Sequence, residues 1–163
     1  MIREVEAANE LFHHAMTSLS DAALREPSRL PGWSRAHVIA HVVLNAEGFV
    51  AVAGATVDQR PALMYPGGTV ERDRDIEVLS ASPAPELVRR WQQARSEFTA
   101  AWDPAPSQRE CATAAQHPVF SSATVLQRRL RELQVHLIDL DVSDVGIDAW
   151  LHVFVDADLE LQW

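Results

Sequence analysis

The sequence predicts an all-α fold, a four-helix bundle with long crossover connections, from three observations. Apolar residues recur at the three- and four-residue spacing of a helix in several separate segments. Prolines and glycines cluster between these segments, where a helix has to end. One or two connections are long enough to cross over the bundle, and bundles of this kind commonly carry metal or ligand sites on facing helices.

The first two helices flank a stretch rich in proline and glycine. Apolar periodicity over Val5–Leu24 predicts one long amphipathic helix. Residues 27–33 contain two prolines and a glycine, which cannot lie inside a regular helix. Ser34 is the expected N-cap of a second helix over about residues 35–53, and Gly54 is its expected stop.

The rest of the chain predicts two more helices joined by long connections. Residues 55–82 are expected to form a loop that ends in a short helical piece, and such connections are often functional. A third helix begins at the proline-containing segment 82–86 and ends near residue 102, before a polar stretch over 103–120 with an extended turn or a hairpin. A fourth helix spans about 122–141. The last segment, from 147 to 163, is expected to form either a closing helix or an extended piece.

Composition restricts the classes of partner and the compartment. The 163 residues, with a net charge of −9, fit one domain over residues 1–163 and argue against nucleic acid or an anionic membrane as partner. The single cysteine, Cys111, excludes an internal disulfide and a four-thiolate zinc site. No run is expected to approach the roughly 20 apolar residues of a membrane span. We therefore expect a soluble, cytoplasmic protein.

Histidine spacing provides the first indication of chemistry. His37 and His41 are four residues apart on the second predicted helix, as are Glu132 and His136 on the fourth. Side chains at this spacing project from one helix face and can share one ion. If His41 joins Glu132 and His136, the result is a set of two histidines and one carboxylate, which typically leaves a catalytic metal with open positions.

The same spacing also fits a protein without a metal. Glu132 would then pair with Arg128 or Arg129 on the surface. His41 and His136 would be hydrogen-bonded histidines of the core, since buried polar groups need partners. Spacing alone leaves both interpretations open.

Three motifs follow one another along the chain. They are LPGWSRAHVIAHVVLNA at residues 30–46, MYP at 64–66 with ERD at 71–73 and IE at 76–77, and RLRELQVHLIDL at 129–140. Together they closely resemble the metal-binding N-terminal domain of the mycothiol-dependent maleylpyruvate isomerases, within the DinB-like four-helix bundle superfamily. The resemblance covers most of residues 5–145 and implies the same bundle fold.

The resemblance implies a metal site and a reaction. Its ligands would be His41, Glu132 and His136, with zinc as the expected ion, although nickel or iron(II) also suits these donors. His37, one turn earlier, would then support the site, or else replace His41 as the ligand. Mycothiol or a similar small thiol is the implied cosubstrate. In the family the thiol adds to the cis double bond of maleylpyruvate, and bond rotation and elimination release the trans isomer.

Two further residues are candidates for the substrate site. Arg72 matches an arginine that the family places near its anionic substrate, and a guanidinium group suits a carboxylate. Arg74 is its close competitor, and both arginines would equally fit a solvated face on which they alternate with acids. Asn45 lies four residues beyond His41 and is expected either to hydrogen-bond the thiol or ligand, or to pack between helices.

The chain also departs from the resembling family. Its members typically continue into a smaller C-terminal domain, whereas this sequence stops at Trp163, so we expect a single metal-binding bundle domain without it. The predicted function is a metal- and thiol-dependent isomerase or S-transferase acting on a small electrophile. The alternative is a non-catalytic, metal-containing bundle that binds a ligand or a partner. A homodimer formed through an apolar helix face is a further expectation.

Overall fold

A computed structural model describes residues 1–57, 63–103, 110–111 and 120–142 of the chain. The elements in these ranges are α1 (Ile2–Thr17), α2 (Asp21–Arg25), α3 (Arg35–Val57), α4 (Gly68–Ser80), α5 (Ala84–Trp102), β1 (Glu110–Cys111), β2 (Phe120–Ser121) and α6 (Ser122–Asp139). The long helices α1, α3, α5 and α6 pack around one hydrophobic core. The predicted all-α bundle is confirmed.

The first predicted helix is two helices. Thr17 ends α1, and Ser20 adopts an extended conformation and caps α2 by accepting a hydrogen bond from the backbone N–H of Ala23 at 3.2 Å. Leu19 and Leu24, on either side of the junction, both pack against the same core. The apolar periodicity therefore continues through the break, and the expectation of one helix over 5–24 was wrong.

The cap of α2 can be tested by substitution. Replacing Ser20 with alanine removes the acceptor for the N–H of Ala23. We expect the free energy of unfolding to fall by about 1 kcal/mol, measured by urea denaturation. Ala22→Ser, a change at an exposed position in the first turn of the same helix, is the control. An unchanged midpoint for Ser20→Ala would show that α2 is stabilised by the packing of Leu24 alone.

Helix α3 is the central element of the bundle and contacts α2, α4, α5 and α6. Among the described residues, one helix, over Arg35–Ala53, is long and apolar enough to cross a membrane by length and composition. Its most apolar window is 67% buried inside the bundle. The sequence expectation that no run approaches this length was therefore wrong. The helix also continues past its predicted stop at Gly54, because one glycine costs a helix only about 1 kcal/mol.

The segment between α3 and α5 contains more helix than predicted. The expected short helical piece is the 13-residue helix α4, which packs Ile76 and Leu79 into the core. It begins after a turn in which the N–H of Gly68 donates to the carbonyl of Tyr65 at 3.0 Å. Gly68 has a φ of +73°, a conformation that favours glycine.

The remaining predictions are partly covered by the described ranges. Helix α5 confirms the third predicted helix, and α6 confirms the fourth, ending two residues earlier than expected. Strands β1 and β2 form an antiparallel pair, with Glu110 opposite Ser121, which favours the hairpin over the extended turn among the two alternatives predicted for residues 103–120. The prediction for residues 147–163 lies outside the described residues.

The start of α3 is fastened to the end of α6. The guanidinium group of Arg35 donates to the carbonyl oxygens of Leu140 at 2.7 Å and Asp141 at 3.0 Å. The backbone N–H of Arg29 donates to the carbonyl of Asp139 at 3.0 Å. These bonds satisfy carbonyls at a helix end and fix the position of α3 relative to α6.

Candidate metal centre

The side chains of His41, Glu132 and His136 converge between α3 and α6. Nε2 of His41 lies 3.0 Å from Oε2 of Glu132, and Nε2 of His136 lies 3.4 Å from the same oxygen. The two imidazole rings are nearly perpendicular, with centroids 4.8 Å apart. One ligand atom from each residue lies within 4.8 Å of the others. The structure thus brings together the three residues that the resemblance implied as ligands.

The carboxylate and the imidazoles of this cluster stabilise each other's charged forms. Burial opposes ionisation of Glu132, but hydrogen bonds from His136 and His41 outweigh it and hold the pKa of this carboxyl well below its usual range. Burial likewise disfavours the charged form of His136, but contacts with Glu132 and Asp139 raise the pKa of the imidazole above its ordinary value. The cluster therefore contains an ionised carboxylate held against two imidazoles.

Two neighbouring residues orient the histidines. Oδ2 of Asp139 lies 2.8 Å from Nδ1 of His136, so the second ring nitrogen is held by a carboxylate. The Trp33 ring packs against His41 with centroids 5.6 Å apart. Sequence reasoning missed Asp139, although its position three residues after His136 on the same helix could have revealed it.

His37 points away from this cluster. Its Nδ1 lies 2.7 Å from Oγ of Ser34, and its Nε2 lies 3.2 Å from Oε2 of Glu77 on α4. Both ring nitrogens are therefore engaged elsewhere, and His41 is the histidine of α3 that faces Glu132. The side chain of Ser34, expected to cap α3, contacts the His37 ring, while its backbone carbonyl accepts from the N–H groups of His37 and Val38.

A cavity of about 490 Å³ opens beside the cluster and includes His41 and Glu132 in its wall. Three arginines, Arg72, Arg128 and Arg131, line the same cavity. A chain with a net charge of −9 thus concentrates cationic side chains around this opening. Such a wall suits a small anionic ligand.

The structure distinguishes the two candidate arginines of α4. Arg72 lines the cavity, with its guanidinium carbon 5.9 Å from the centre of the Tyr65 ring and its Nε 3.0 Å from Oδ1 of Asp73. The side chain of Arg74 is 67% exposed and pairs with Asp75 at 3.0 Å, outside the residues that line the cavity. Only Arg72 of the pair is placed to contact a ligand there.

Arg129 lies behind the cavity wall, fully buried. Its Nη1 donates to the carbonyl of Val42 at 2.8 Å and to Oδ1 of Asn45 at 2.9 Å. Its guanidinium carbon lies 5.7 Å from the ring centres of both Trp91 and Phe98. Burial lowers the pKa of this guanidinium to about 10, so it remains charged at neutral pH. Surface pairing of Arg129 with Glu132, considered from spacing, was therefore wrong.

Asn45 is buried and belongs to the cavity wall as well as to the helix interface. It accepts a hydrogen bond from Arg129, which fixes its orientation. Both roles predicted for Asn45, packing and facing a ligand, are thus compatible in one position. Sequence reasoning considered Arg129 only as a surface partner of Glu132 and gave Tyr65 no role of its own, because the positions of both depend on contacts between helices.

Comparisons with known proteins identify the family and the fold. The family model described as "Mycothiol maleylpyruvate isomerase N-terminal domain" matches residues 5–141. A search of curated proteins found no significant match. A crystal structure of the mycothiol-dependent maleylpyruvate isomerase superposes with a TM-score of 0.85 at 21% identity, covering 94% of this chain and 64% of that one. A crystal structure of a histidine-to-alanine mutant of the same enzyme superposes with a TM-score of 0.85 at 20% identity and with the same coverage.

These matches establish the fold and the family. Identities near 20% support the bundle architecture, and the family model covers most of the chain. The chain spans less than two thirds of the length of the solved enzyme. The chain belongs to the mycothiol maleylpyruvate isomerase N-terminal domain family.

Proposed function

We propose that this protein is a metal- and thiol-dependent isomerase or S-transferase. A divalent metal, with zinc as the expected ion, would be held by His41, Glu132 and His136. The thiol would be mycothiol or a similar small molecule, and the electrophile a compound such as maleylpyruvate. The observation that carries the proposal is the convergence of two imidazole nitrogens and one carboxylate oxygen, within 4.8 Å of one another, beside a cavity of about 490 Å³ whose wall includes His41 and Glu132.

The donor set fits a catalytic metal. Two histidines and one carboxylate are a common zinc ligand set, and the adjoining cavity leaves room for a further ligand. Glu132 is held ionised, as a ligand must be. The carboxylate of Asp139 on the second nitrogen of His136 is the usual support for a metal-binding imidazole. A bound divalent cation would lower the pKa of a thiol and keep it as the nucleophilic thiolate.

The cavity would hold the electrophile beside that thiolate. Its volume lies in the range of small-molecule sites, and its arginines would orient a carboxylate. The lone cysteine of the chain has no required part, since the cosubstrate supplies the sulfur. The cytoplasmic location, the single-domain organisation and the homodimer remain predictions from the sequence.

Arg72 can be tested against its neighbour. With Arg72→Gln, we expect KM for maleylpyruvate to rise about tenfold or more, because a charged hydrogen bond to a carboxylate is lost. The matched control is Arg74→Gln, which removes the same group from an exposed position on the same helix. Steady-state kinetics of both variants measure whether KM rises for Arg72→Gln alone. Equal effects of the two substitutions would indicate only a general loss of positive charge.

The proposed function is tested by metal analysis and thiol binding together. The purified protein should contain about one equivalent of divalent metal, and its cobalt-substituted form should develop a thiolate-to-metal absorption band when mycothiol is added. Thiol-dependent turnover of maleylpyruvate should accompany the band. A protein that binds metal and thiol but turns over no electrophile would be the non-catalytic bundle. A protein with no affinity for metal would contradict both the proposed enzyme and the non-catalytic metal-containing bundle.

A further inference from the structure

We propose that Tyr65 is a catalytic residue that donates a hydrogen bond from its phenol to the carbonyl oxygen of the electrophile as thiol addition turns that oxygen into an enolate. The assignment rests on the proposed function. It goes beyond that function because it names the group that receives the negative charge displaced by the thiol.

The position of Tyr65 is the first observation. The residue lies in the connection between α3 and α4 and lines the cavity that contains His41 and Glu132. The turn that carries it is closed by the hydrogen bond from Gly68 to its carbonyl. The guanidinium group of Arg72 lies over its ring, so the ring is held from the α4 side. The phenol is thus fixed at the cavity rather than free on the surface.

The direction of the hydrogen bonds is the second observation. Arg129 can only donate, so the atom of Asn45 that faces it must be the amide oxygen, as the 2.9 Å bond shows. The amide nitrogen of Asn45 remains available to donate, and the hydrogen bond between Asn45 and the phenol acts to lower the pKa of Tyr65, as donation to the phenol oxygen does. A phenol oxygen that accepts from Asn45 keeps its own proton for another acceptor. The cavity is where such an acceptor can bind.

The electrostatics keep this phenol protonated and ready to donate. Burial first, and then the charge of Glu132, raises the pKa of Tyr65 above its ordinary value. Arg72 and Arg129 act in the opposite direction without reversing the shift. A neutral phenol beside two guanidinium groups is a suitable donor to an oxygen on which negative charge develops.

The step balances with the two proposed reactants alone. The thiolate sulfur forms a bond to one carbon of the double bond, and the π electrons move through the conjugated carbonyl to its oxygen. Tyr65 hydrogen-bonds that oxygen while the former double bond rotates as a single bond. The electron pair then returns, the carbon–sulfur bond breaks, and thiolate and the trans isomer leave. The phenol proton stays on Tyr65 throughout, so no oxidant, reductant or third reactant is needed.

The first test is the substitution Tyr65→Phe, which removes only the hydroxyl group. We expect kcat for thiol-dependent isomerisation of maleylpyruvate to fall about 100-fold, as for loss of one oxyanion donor. Metal content, the cobalt–thiolate band and KM for the thiol should stay within about threefold of the wild-type values. A kcat within about threefold of wild type in Tyr65→Phe would overturn the assignment. A wild-type protein without thiol-dependent turnover would instead remove the proposed function itself, so the two failures are distinguishable.

The second test uses the fact that Tyr65 is the single tyrosine of the sequence. Global incorporation of 3-fluorotyrosine therefore labels one position, and fluorine NMR should show one resonance that shifts when maleylpyruvate is added without thiol. No shift at saturating maleylpyruvate would overturn the contact between the phenol and the electrophile. Asn45→Asp keeps an acceptor for Arg129 but cannot donate to the phenol, so it should move the resonance even without ligand. An unmoved resonance in folded Asn45→Asp protein, checked by circular dichroism, would overturn the hydrogen-bond direction.

Discussion

Replacement of His136 with alanine is expected to abolish stoichiometric metal binding and to lower thiol-dependent turnover by about 100-fold or more. His136 supplies one of the three converging donor atoms, and its loss leaves a single imidazole and a carboxylate. Two protein ligands rarely retain zinc against competing chelators. Elemental analysis after dialysis against a weak chelator, followed by activity assays at saturating metal, measures both effects.

The matched control is His37→Ala. This substitution removes the same type of side chain from α3, one turn before His41, but from a position engaged with Ser34 and Glu77. It should keep the full equivalent of metal. Retention of metal by His136→Ala, or its loss from His37→Ala, would contradict the assignment of the ligands.

Replacement of Arg129 with methionine is expected to raise the free energy of unfolding of the metal-free protein by about 1–3 kcal/mol and to lower kcat about tenfold or more. A fully buried guanidinium that donates two hydrogen bonds from one nitrogen is incompletely compensated for its loss of water. Methionine fills a similar volume between Trp91 and Phe98 without this penalty. The substitution also removes the hydrogen bond that fixes the orientation of Asn45, and with it the support of Tyr65, which is why kcat should fall.

The pH dependence of stability indicates that charged Arg129 destabilises the fold at neutral pH, so its removal should stabilise the protein. Burial lowers the pKa of Arg129 in the folded protein to about 10, well below that of a free guanidinium, so folding disfavours its charged form. The resulting destabilisation is fully present below pH 10 and is relieved only as the pH rises above that value. Urea denaturation at neutral pH should therefore show the gain in Arg129→Met. A loss of more than about 1 kcal/mol would indicate that the buried contacts of Arg129 are stabilising overall.

The helices were largely predictable because their signals are local. Apolar spacing and proline positions predicted α3, α5 and α6 to within a few residues of their observed ends. The division at Ser20 was missed because the core-facing residues keep their spacing through it. The length of α4 was underestimated, since its charged run has only a short apolar stripe, and the packing of Ile76 and Leu79 on the core supplies the rest of its stability.

The sequence by itself determined that Glu132 and His136 share one helix face, because a four-residue spacing in a helix fixes their relation without any other part of the chain. Family motifs pointed to His41 as their partner. Only the tertiary structure decided that His41 meets a carboxylate 91 residues away while His37 turns toward Glu77.

The same is true of the cavity wall. Arg72 and Arg74 are equivalent in sequence pattern, and Arg129 resembles its exposed neighbour Arg128. Arg72 faces the cavity, Arg74 lies on the surface and Arg129 lies in the core. These positions depend on how α4 and α6 are rotated against α3. That rotation is set by long-range packing of apolar side chains and by the bonds of Arg35 to the end of α6, which no local pattern records.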